Sequence, residues 1–291
     1  MTAVRDLIRD ATQRLTDHGV PSPRHDAEVL AAHVLGVERS QLLTAGEPPV
    51  SFAAGYDALV ARRAAREPLQ HITGRAHFRH LTLQVGPGVF VPRPETELTA
   101  GAAIAEAQAI ADDGRVPVVV DMFSGSGAIA ISVAREVRPC VVHAVEAEDD
   151  AIEWLRRNAA GQSVVVHRDD VGGIVERSMS MLIGTVDVVV ANPPYVPVDA
   201  VIREPEVVEH DPPAALWSGP DGLDAMRVLE SAAARLLRTG GLIVAEHADV
   251  QGTAAPEVFA RTGRWADVAD HQDLNGRPRF VTARRASEPT R

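Results

Sequence analysis

Val186-Asp187-Val188-Val189-Val190-Ala191-Asn192-Pro193-Pro194-Tyr195 is a short apolar run that breaks at two consecutive prolines. The run is too short and too β-branched for a helix, and the prolines stop a strand from continuing. It reads as a strand followed by a rigid corner that presents one amide and one aromatic ring. In an open α/β sheet, ligands bind just outside the carboxyl ends of the strands, so Asn192 and Tyr195 fall where chemistry is done. The Asn192 side chain offers a carbonyl acceptor and an amide donor, which can pair with a planar N–H group. The residue before each proline is held extended, which leaves nearby carbonyls pointing outward. The corner suits a planar amide or an amino-substituted ring. Taken alone, it is also compatible with an ordinary proline-rich turn.

Strands alternate with helices on both sides of this run, the pattern of a mostly parallel sheet covered by helices. Val118-Val119-Val120 reads as the first strand, with Asp121-Met122-Phe123-Ser124-Gly125-Ser126-Gly127 turning into a helix over Ala128 to Arg135. Val141 to Val145, Val164 to His167 and Leu242 to Ala245 read as further strands, and Trp265 to Ala269 and Arg279 to Ala283 as two closing ones. Helices are expected from about Asp149 to Asn158 and from Leu223 to Arg238.

The first part of the chain has a helical period instead. Val4, Leu7, Ile8, Ala11 and Leu15 form one stripe, and a second helix runs from about Arg24 to a stop at Gly36. Ser40 is placed to cap a short turn through Leu43, and Ser51 to cap a helix carrying Phe52, Tyr56, Leu59 and Val60. From His71 the period changes: Phe78 to Val85, the turn Gly86-Pro87-Gly88 and Val89-Phe90-Val91 read as a β-hairpin. Pro92-Arg93-Pro94-Glu95-Thr96-Glu97 then announces a helix to about Ala111. The expected organisation is a helical domain over 1–72, a hairpin linker over 73–93, an α/β domain over 94–285 and a tail over 286–291.

Composition narrows the function. The chain of 291 residues has a formal net charge of −11, which weighs against a dedicated nucleic-acid binder. All 29 basic residues are arginine, so Schiff-base chemistry and a phosphate-binding lysine are excluded. Cys140 has no disulfide partner and reads as an inert buried thiol. No Cys/His spacing resembles a zinc site, and no metal is expected. No apolar run approaches a membrane span and the charged amino terminus is no signal peptide, so the reading is cytoplasmic, with no membrane partner.

Three loops at carboxyl strand ends carry a small-molecule signal. Gly125 and Gly127 allow a tight turn and close backbone approach, and Asp121 can accept hydrogen bonds or meet a cation. Glu146 closes the second strand, where an acid can take both hydroxyls of a ribose. Asp169 and Asp170 follow the third strand, and either could accept from an adenine amino group. Each acid alone is compatible with a solvated strand end, but together, ahead of the Asn192 corner, they favour an adenosyl ligand. The acids Glu204, Glu206, Glu209 and Asp211, in the long connection from Val196 to Asp221, suit either a basic partner surface or plain solvation.

The turn, Glu146 and Asn192-Pro193-Pro194-Tyr195 look like the S-adenosyl-L-methionine site of Rossmann-like methyltransferases that act on exocyclic or amide nitrogen. Glu67-Pro68-Leu69-Gln70-His71-Ile72-Thr73-Gly74, Phe78, Val91-Pro92-Arg93-Pro94-Glu95-Thr96-Glu97, Asp221-Gly222-Leu223-Asp224 and Gly276-Arg277 resemble the release-factor glutamine methyltransferases, over nearly the whole chain. The resemblance implies a seven-stranded, mostly parallel sheet and methylation of the glutamine side chain in the Gly-Gly-Gln loop of class 1 peptide chain release factors. By position, Asn192 and the Pro193 carbonyl would hold the glutamine amide, Pro194 and Tyr195 would line its pocket, and Arg93 and Glu95 would help build it. Asp121, Phe123, Gly125, Gly127, Glu146, Asp169, Asp170 and Asn192 would surround the cofactor. Phe123 departs from the family, which has a small residue there, and its ring is expected to point away from the ligand. The amino-terminal bundle would grip the release factor, with the enzyme acting as a monomer and touching no nucleic acid directly. Two rival readings are a nucleic-acid adenine methyltransferase and a cofactor-binding module that docks on a release factor without turnover.

Overall fold

The computed structural model describes residues 4–42, 44 and 47–287. Its contacts group the chain into two compact units, one of 1–75, 85–87 and 202–210, the other of 76–84, 88–201 and 211–291.

The first unit is helical. Helices α1 (Val4–Asp17), α2 (Pro23–Leu35), α3 (Phe52–Ala64) and the single-turn α4 (Leu69–Thr73) bury Leu15, Leu30, Phe52, Tyr56 and Ile72 against one another. Phe52 and Tyr56 stack with ring centroids 5.3 Å apart, and the Tyr56 hydroxyl donates to the Ala27 carbonyl at 3.0 Å. The expected cap at Ser51 is a helix boundary without a side-chain cap bond, because Ser51 is already in helical geometry. Arg39–Gln41 forms a 3-10 turn with Ser40 inside it and Glu38, not Ser40, at its cap, while Leu43 lies outside the described residues.

The hairpin differs from its sequence reading. It is β1 (Arg75–Phe78) and β2 (Leu81–Gln84), turning at Arg79 and His80, not at Gly86-Pro87-Gly88. Arg79 takes a φ of 50°, and its side chain is fixed by two hydrogen bonds to Glu136, at 2.7 and 2.6 Å. Val89 and Val91 are buried but pair with no strand, so their apolar alternation reflects packing alone.

The second unit holds the sheet. Along the chain come α5 (Thr96–Asp112), β3 (Val118–Met122), α6 (Ala128–Glu136), β4 (Val141–Glu146), α7 (Asp149–Ala159), β5 (Val164–Arg168), α8 (Ile174–Arg177) and β6 (Val186–Ala191). There follow α9 (Pro205–His210, part of the first unit), α10 (Asp224–Leu236), β7 (Leu237–Glu246), α11 (Ala254–Ala260), β8 (Trp265–Gln272) and β9 (Pro278–Arg285). The seven strands run in the order β5-β4-β3-β6-β7-β9-β8, parallel from β5 to β7, with β9 antiparallel to both β7 and β8. The expected α/β fold with a mostly parallel seven-stranded sheet is thus present. β7, β8 and β9 are longer than expected because their polar residues also join the ladder.

Successive side chains of a strand point to opposite faces, so the buried residues of β3 divide between two cores. Val120 and Met122 pack with Met226 and Leu229 of α10, while Val119 packs with Ala100 of α5 and Ile131 of α6. Chain order reverses between β3 and β6, because β3 continues to β4 on one side while β6 continues to β7 on the other. Such a switch point opens a crevice at the carboxyl ends of the strands.

Of the four acids singled out in the connection from Val196 to Asp221, Glu204 and Glu209 are exposed, but Glu206 and Asp211 are not spare surface charge. Glu206 on α9 is held by Arg63 at 2.9 Å and by Arg66 at 2.6 Å, within the first unit. Burial opposes its ionisation, yet these guanidinium bonds hold its carboxyl down at about 2. Asp211, in the second unit, is buried and paired with Arg93 at 2.8 Å. Neither acid therefore fits the free, partner-facing or solvated role expected from sequence.

Candidate active site

The crevice at the switch point is a cavity walled by the loop after β3, the corner after β6, the segment from Gly88 to Thr96 and the turn around Ala215. The pleat explains which polar groups gather on its side of the sheet. Asp121, Glu146, Asn192 and Glu246 share strand parity with Val119, Ala144, Val190 and Val244, so all four point toward the face covered by α5 and α6.

The loop after β3 is held by its backbone amides and by Ser124, whose Oγ donates to the Asp121 carbonyl at 2.9 Å and accepts from the Val145 amide at 3.1 Å. The Ser124 amide donates to the Val145 carbonyl at 2.9 Å, and the Gly125 amide donates to Glu146 Oε2 at 2.8 Å. Gly125 lines the cavity at a φ of 55°, and a Cβ added there would meet no atom within 4 Å. The result is an open backbone cradle that only glycine keeps empty without strain. Glu146 also accepts from the amides of Ala147 and Glu148, at 2.8 and 2.9 Å. Burial raises its carboxyl above the ordinary range, opposed by these amide donors. Three donors leave a carboxylate with capacity for a ribose hydroxyl.

Asp121 sits beneath this loop and off the cavity lining. It is fully buried, and its Oδ2 accepts from the Ala130 amide at 3.0 Å, fastening the start of α6. Burial pushes its carboxyl up to about 7. Gly127 opens α6 at a φ of 86°, where a Cβ would come within 2.6 Å of Leu155 Cδ1, so it serves helix packing and does not line the cavity. Phe123 takes a φ of 61° and does both: it packs against the core on the α10 face and contributes to the cavity wall. The expectation of a ring turned away from the ligand therefore covers only part of its position.

Asp169 and Asp170 are not among the cavity lining either. Arg177 and Ser178 take up the Asp169 carboxylate, with Arg177 Nε at 2.8 Å from Oδ1 and Ser178 Oγ at 2.8 Å from Oδ2. Arg177 also pairs with Asp170. The largest cause of the lowered Asp169 carboxyl is this arginine bond.

Across the cavity stand Asn192, Pro194 and Tyr195, with Pro193 between them in the chain. Asn192 Nδ2 donates to Thr96 Oγ1 at 3.2 Å. Thr96 Oγ1 donates in turn to Glu246 Oε1 at 3.2 Å, and Thr99 Oγ1 to Glu246 Oε2 at 3.1 Å. The two threonines lie one helical turn apart on α5, so both hydroxyls meet the same carboxylate. The Tyr195 hydroxyl is buried, which is the main reason its ionisation is pushed up, with the Glu246 carboxylate adding to it. Gln251 Nε2 braces the corner from behind by donating to the Tyr195 and Asp221 carbonyls, both at 3.2 Å. Arg93 lies over the Phe90 ring at 4.9 Å and pairs with buried Asp211; neither Arg93 nor Glu95 lines the cavity, whereas Phe90 and Thr96 do.

Sequence reading assigned no role to Thr96, Glu246 or Gln251. A signal existed for Glu246, an acid at the carboxyl end of a strand like Glu146. Cys140 is half-buried and its thiol is pushed up to about 12, chiefly by burial, as expected of an inert group. Among the described residues no cluster of His, Cys, Asp and Glu could hold a metal ion, and no helix is long and apolar enough to cross a membrane.

A mostly parallel sheet with a switch-point crevice, an open glycine turn and a strand-end acid beside it is the architecture of a Rossmann-like S-adenosylmethionine-dependent methyltransferase. The first strand-end loop fits the cofactor, since Gly125 leaves the needed space and Glu146 the needed acceptor. Residues 6–74 match the PrmC N-terminal domain family and residues 102–186 the TRM5/TYW2 methyltransferase domain family. A release factor glutamine methyltransferase of Streptomyces coelicolor is 54% identical over 280 residues, spanning 96% of this chain and 97% of that protein. The chain belongs to the release factor glutamine methyltransferase family. A 4-amino-L-phenylalanine/4-methylamino-L-phenylalanine methyltransferase of Streptomyces pristinaespiralis is also similar, at 40% identity over 271 residues, or 92% of this chain and 91% of that one. Among solved structures, a methyltransferase from Pyrococcus furiosus shares the fold with a TM-score of 0.50 at 17% identity, covering 80% of this chain and all of that one.

Proposed function

We propose that the protein transfers a methyl group from S-adenosylmethionine to the side-chain amide nitrogen of the glutamine in the Gly-Gly-Gln loop of class 1 peptide release factors. The observation that carries this reading is the pairing, across one cavity, of the Gly125 cradle with the Asn192 corner. When bound, the cofactor supplies an electrophilic methyl on sulfonium, with a neutral thioether as the leaving group. Gly125 and Glu146 would hold its nucleoside, and Phe123 would form part of the wall around it.

An amide nitrogen is a poor nucleophile because its lone pair is delocalised. Asn192 Oδ1 and the Pro193 carbonyl accept the two N–H groups of the substrate amide, which raises electron density on nitrogen and aims it at the methyl carbon. Orientation and electrostatics would then supply most of the rate, with the proton displaced from nitrogen by the methyl group passing to solvent water. Tyr195 and Pro194 wall the amide pocket, while Arg93 and Glu95 act behind it. The amino-terminal helical unit provides the docking surface for the release factor, and the protein works as a cytoplasmic monomer.

The relative that methylates an aromatic amine marks the competing substrate class, since an arylamine also offers two N–H groups to the same acceptors. Incubation with S-adenosylmethionine and either a release factor, free 4-aminophenylalanine or adenine-containing DNA, followed by mass analysis, separates the readings. The expected product is a release factor heavier by one CH2 on the Gly-Gly-Gln peptide. Transfer confined to the amino acid or to DNA, or cofactor binding without transfer to any of them, overturns the proposal.

A further inference from the structure

The polar chain behind the corner has a direction, and Glu246 sets it. Thr96 has a single hydroxyl proton. If that proton is given to Glu246, Thr96 Oγ1 can meet Asn192 only as an acceptor, and only the NH2 side of the Asn192 amide can face it. The side-chain carbonyl Oδ1 is then the atom left for the cavity. Reversing the Thr96 proton would offer a donor to Asn192 and turn its amide over, presenting NH2 to a substrate that itself has only N–H groups to give.

We infer that Glu246 is a positioning residue for methyl transfer: through Thr96 it holds the Asn192 amide in the orientation that accepts from the substrate nitrogen. This rests on the role given to Asn192 above. Glu246 is suited to the task by its burial, with 1% of its surface exposed, and by having both carboxylate oxygens engaged by hydroxyl donors from one helix. It cannot act on the substrate directly, because it does not line the cavity. Three charged or titratable groups face it: Arg279 on β9 favours the carboxylate, while Glu95 ahead of α5 opposes it. Tyr195, in the corner, is the third. Burial dominates and brings Glu246 up to about 7, so the polarity of the chain is sensitive to pH near neutrality. Below that value a protonated Glu246 can donate to Thr96, and the Asn192 orientation is no longer specified.

Glu246→Gln keeps the shape but replaces an obligate acceptor with a group that can donate to Thr96. It is expected to lower kcat on the release factor about 10- to 100-fold while S-adenosylmethionine affinity stays within about twofold. Thr96→Val breaks the same relay and is expected to fall equally, Thr96→Ser to retain activity within about threefold, and the Glu246→Gln/Thr96→Val pair to be no worse than either single change. The wild-type kcat profile should show an acid limb near neutrality that Glu246→Gln lacks. Wild-type rate and pH profile in Glu246→Gln, or full additivity in the double variant, overturns the inference while leaving the activity intact. If Glu246→Gln does not fold, a Thr96→Val enzyme as active as Thr96→Ser overturns it alone. A wild-type protein with no activity on the release factor defeats the underlying reading as well, and is recognised by that control.

Discussion

The loop after β3 and the corner after β6 leave neighbouring strands and face one cavity, yet they are built by different means. Each rests on a buried carboxyl pushed up to about 7, Asp121 under the loop and Glu246 under the corner. Asp121 fastens a backbone amide, and the loop above it meets the cavity with the open backbone of Gly125 as well as with Phe123, Ser124 and Ser126. Glu246 instead fastens two side-chain hydroxyls, and the corner meets the cavity through an asparagine side chain. A site made from backbone tolerates changes of side chain and fails when a Cβ intrudes. A site made from side chains has the opposite weakness.

The sharpest way to break this comparison is Asn192→Ala. It should cut transfer to the release factor by about 1,000-fold while calorimetric affinity for S-adenosylmethionine changes less than about threefold. Comparable losses in both would move Asn192 to the cofactor side and erase the contrast. Gly125→Ala is the reciprocal test, since its Cβ would project into the cradle at a φ that L-residues rarely adopt. Cofactor affinity is expected to weaken about tenfold, or about 1.4 kcal/mol, with kcat at saturation within about threefold, because the added methyl takes up space that the cofactor would fill. Unchanged affinity would mean that the loop does not hold the cofactor.

The smallest effect concerns Asp121 and is read in stability. An ordinary aspartate releases its proton at about 3.9. Folded Asp121 holds it to about 7, so between those values the folded chain binds a proton that the unfolded chain does not. The contribution of this group is complete at low pH and is lost as pH rises toward 7. Asp121→Asn cannot titrate, so denaturant unfolding should show it gaining on the wild type between about pH 4 and pH 7, by on the order of a few kcal/mol or less. A difference independent of pH would show that Asp121 is ionised throughout.

The two walls were unequally legible in sequence for the same reason. Gly125, Glu146 and the loop they shape announce themselves through turn chemistry within a stretch of a few residues and at one strand end. The corner was found through its prolines, but its supports were not, because Thr96 and Glu246 are 150 positions apart and Asn192 is 96 from Thr96. Asp169 and Asp170, either of which was expected to meet adenine, mark the limit of reading acids by strand-end position, since Arg177 at the end of α8 pairs with both and Ser178 just after it takes up the second Asp169 oxygen. The hairpin erred similarly: Gly86-Pro87-Gly88 has the stronger turn signal, yet the turn forms at Arg79, where pairing with Glu136 holds a left-handed residue in place.

By itself the sequence determined the alternation of strands and helices, the helical amino-terminal region, the glycine turn and the proline corner. Each follows from local periodicity and from backbone restrictions that glycine and proline impose wherever they occur. Tertiary structure decided which of these polar groups meet. Strand order set β6 between β3 and β7, and the β6–β7 register, with Ala191 opposite Ala245, brought Asn192 beside Glu246 under the first turn of α5. A hydrogen bond reaches about 3 Å, so only that packing could turn three distant residues into one oriented chain.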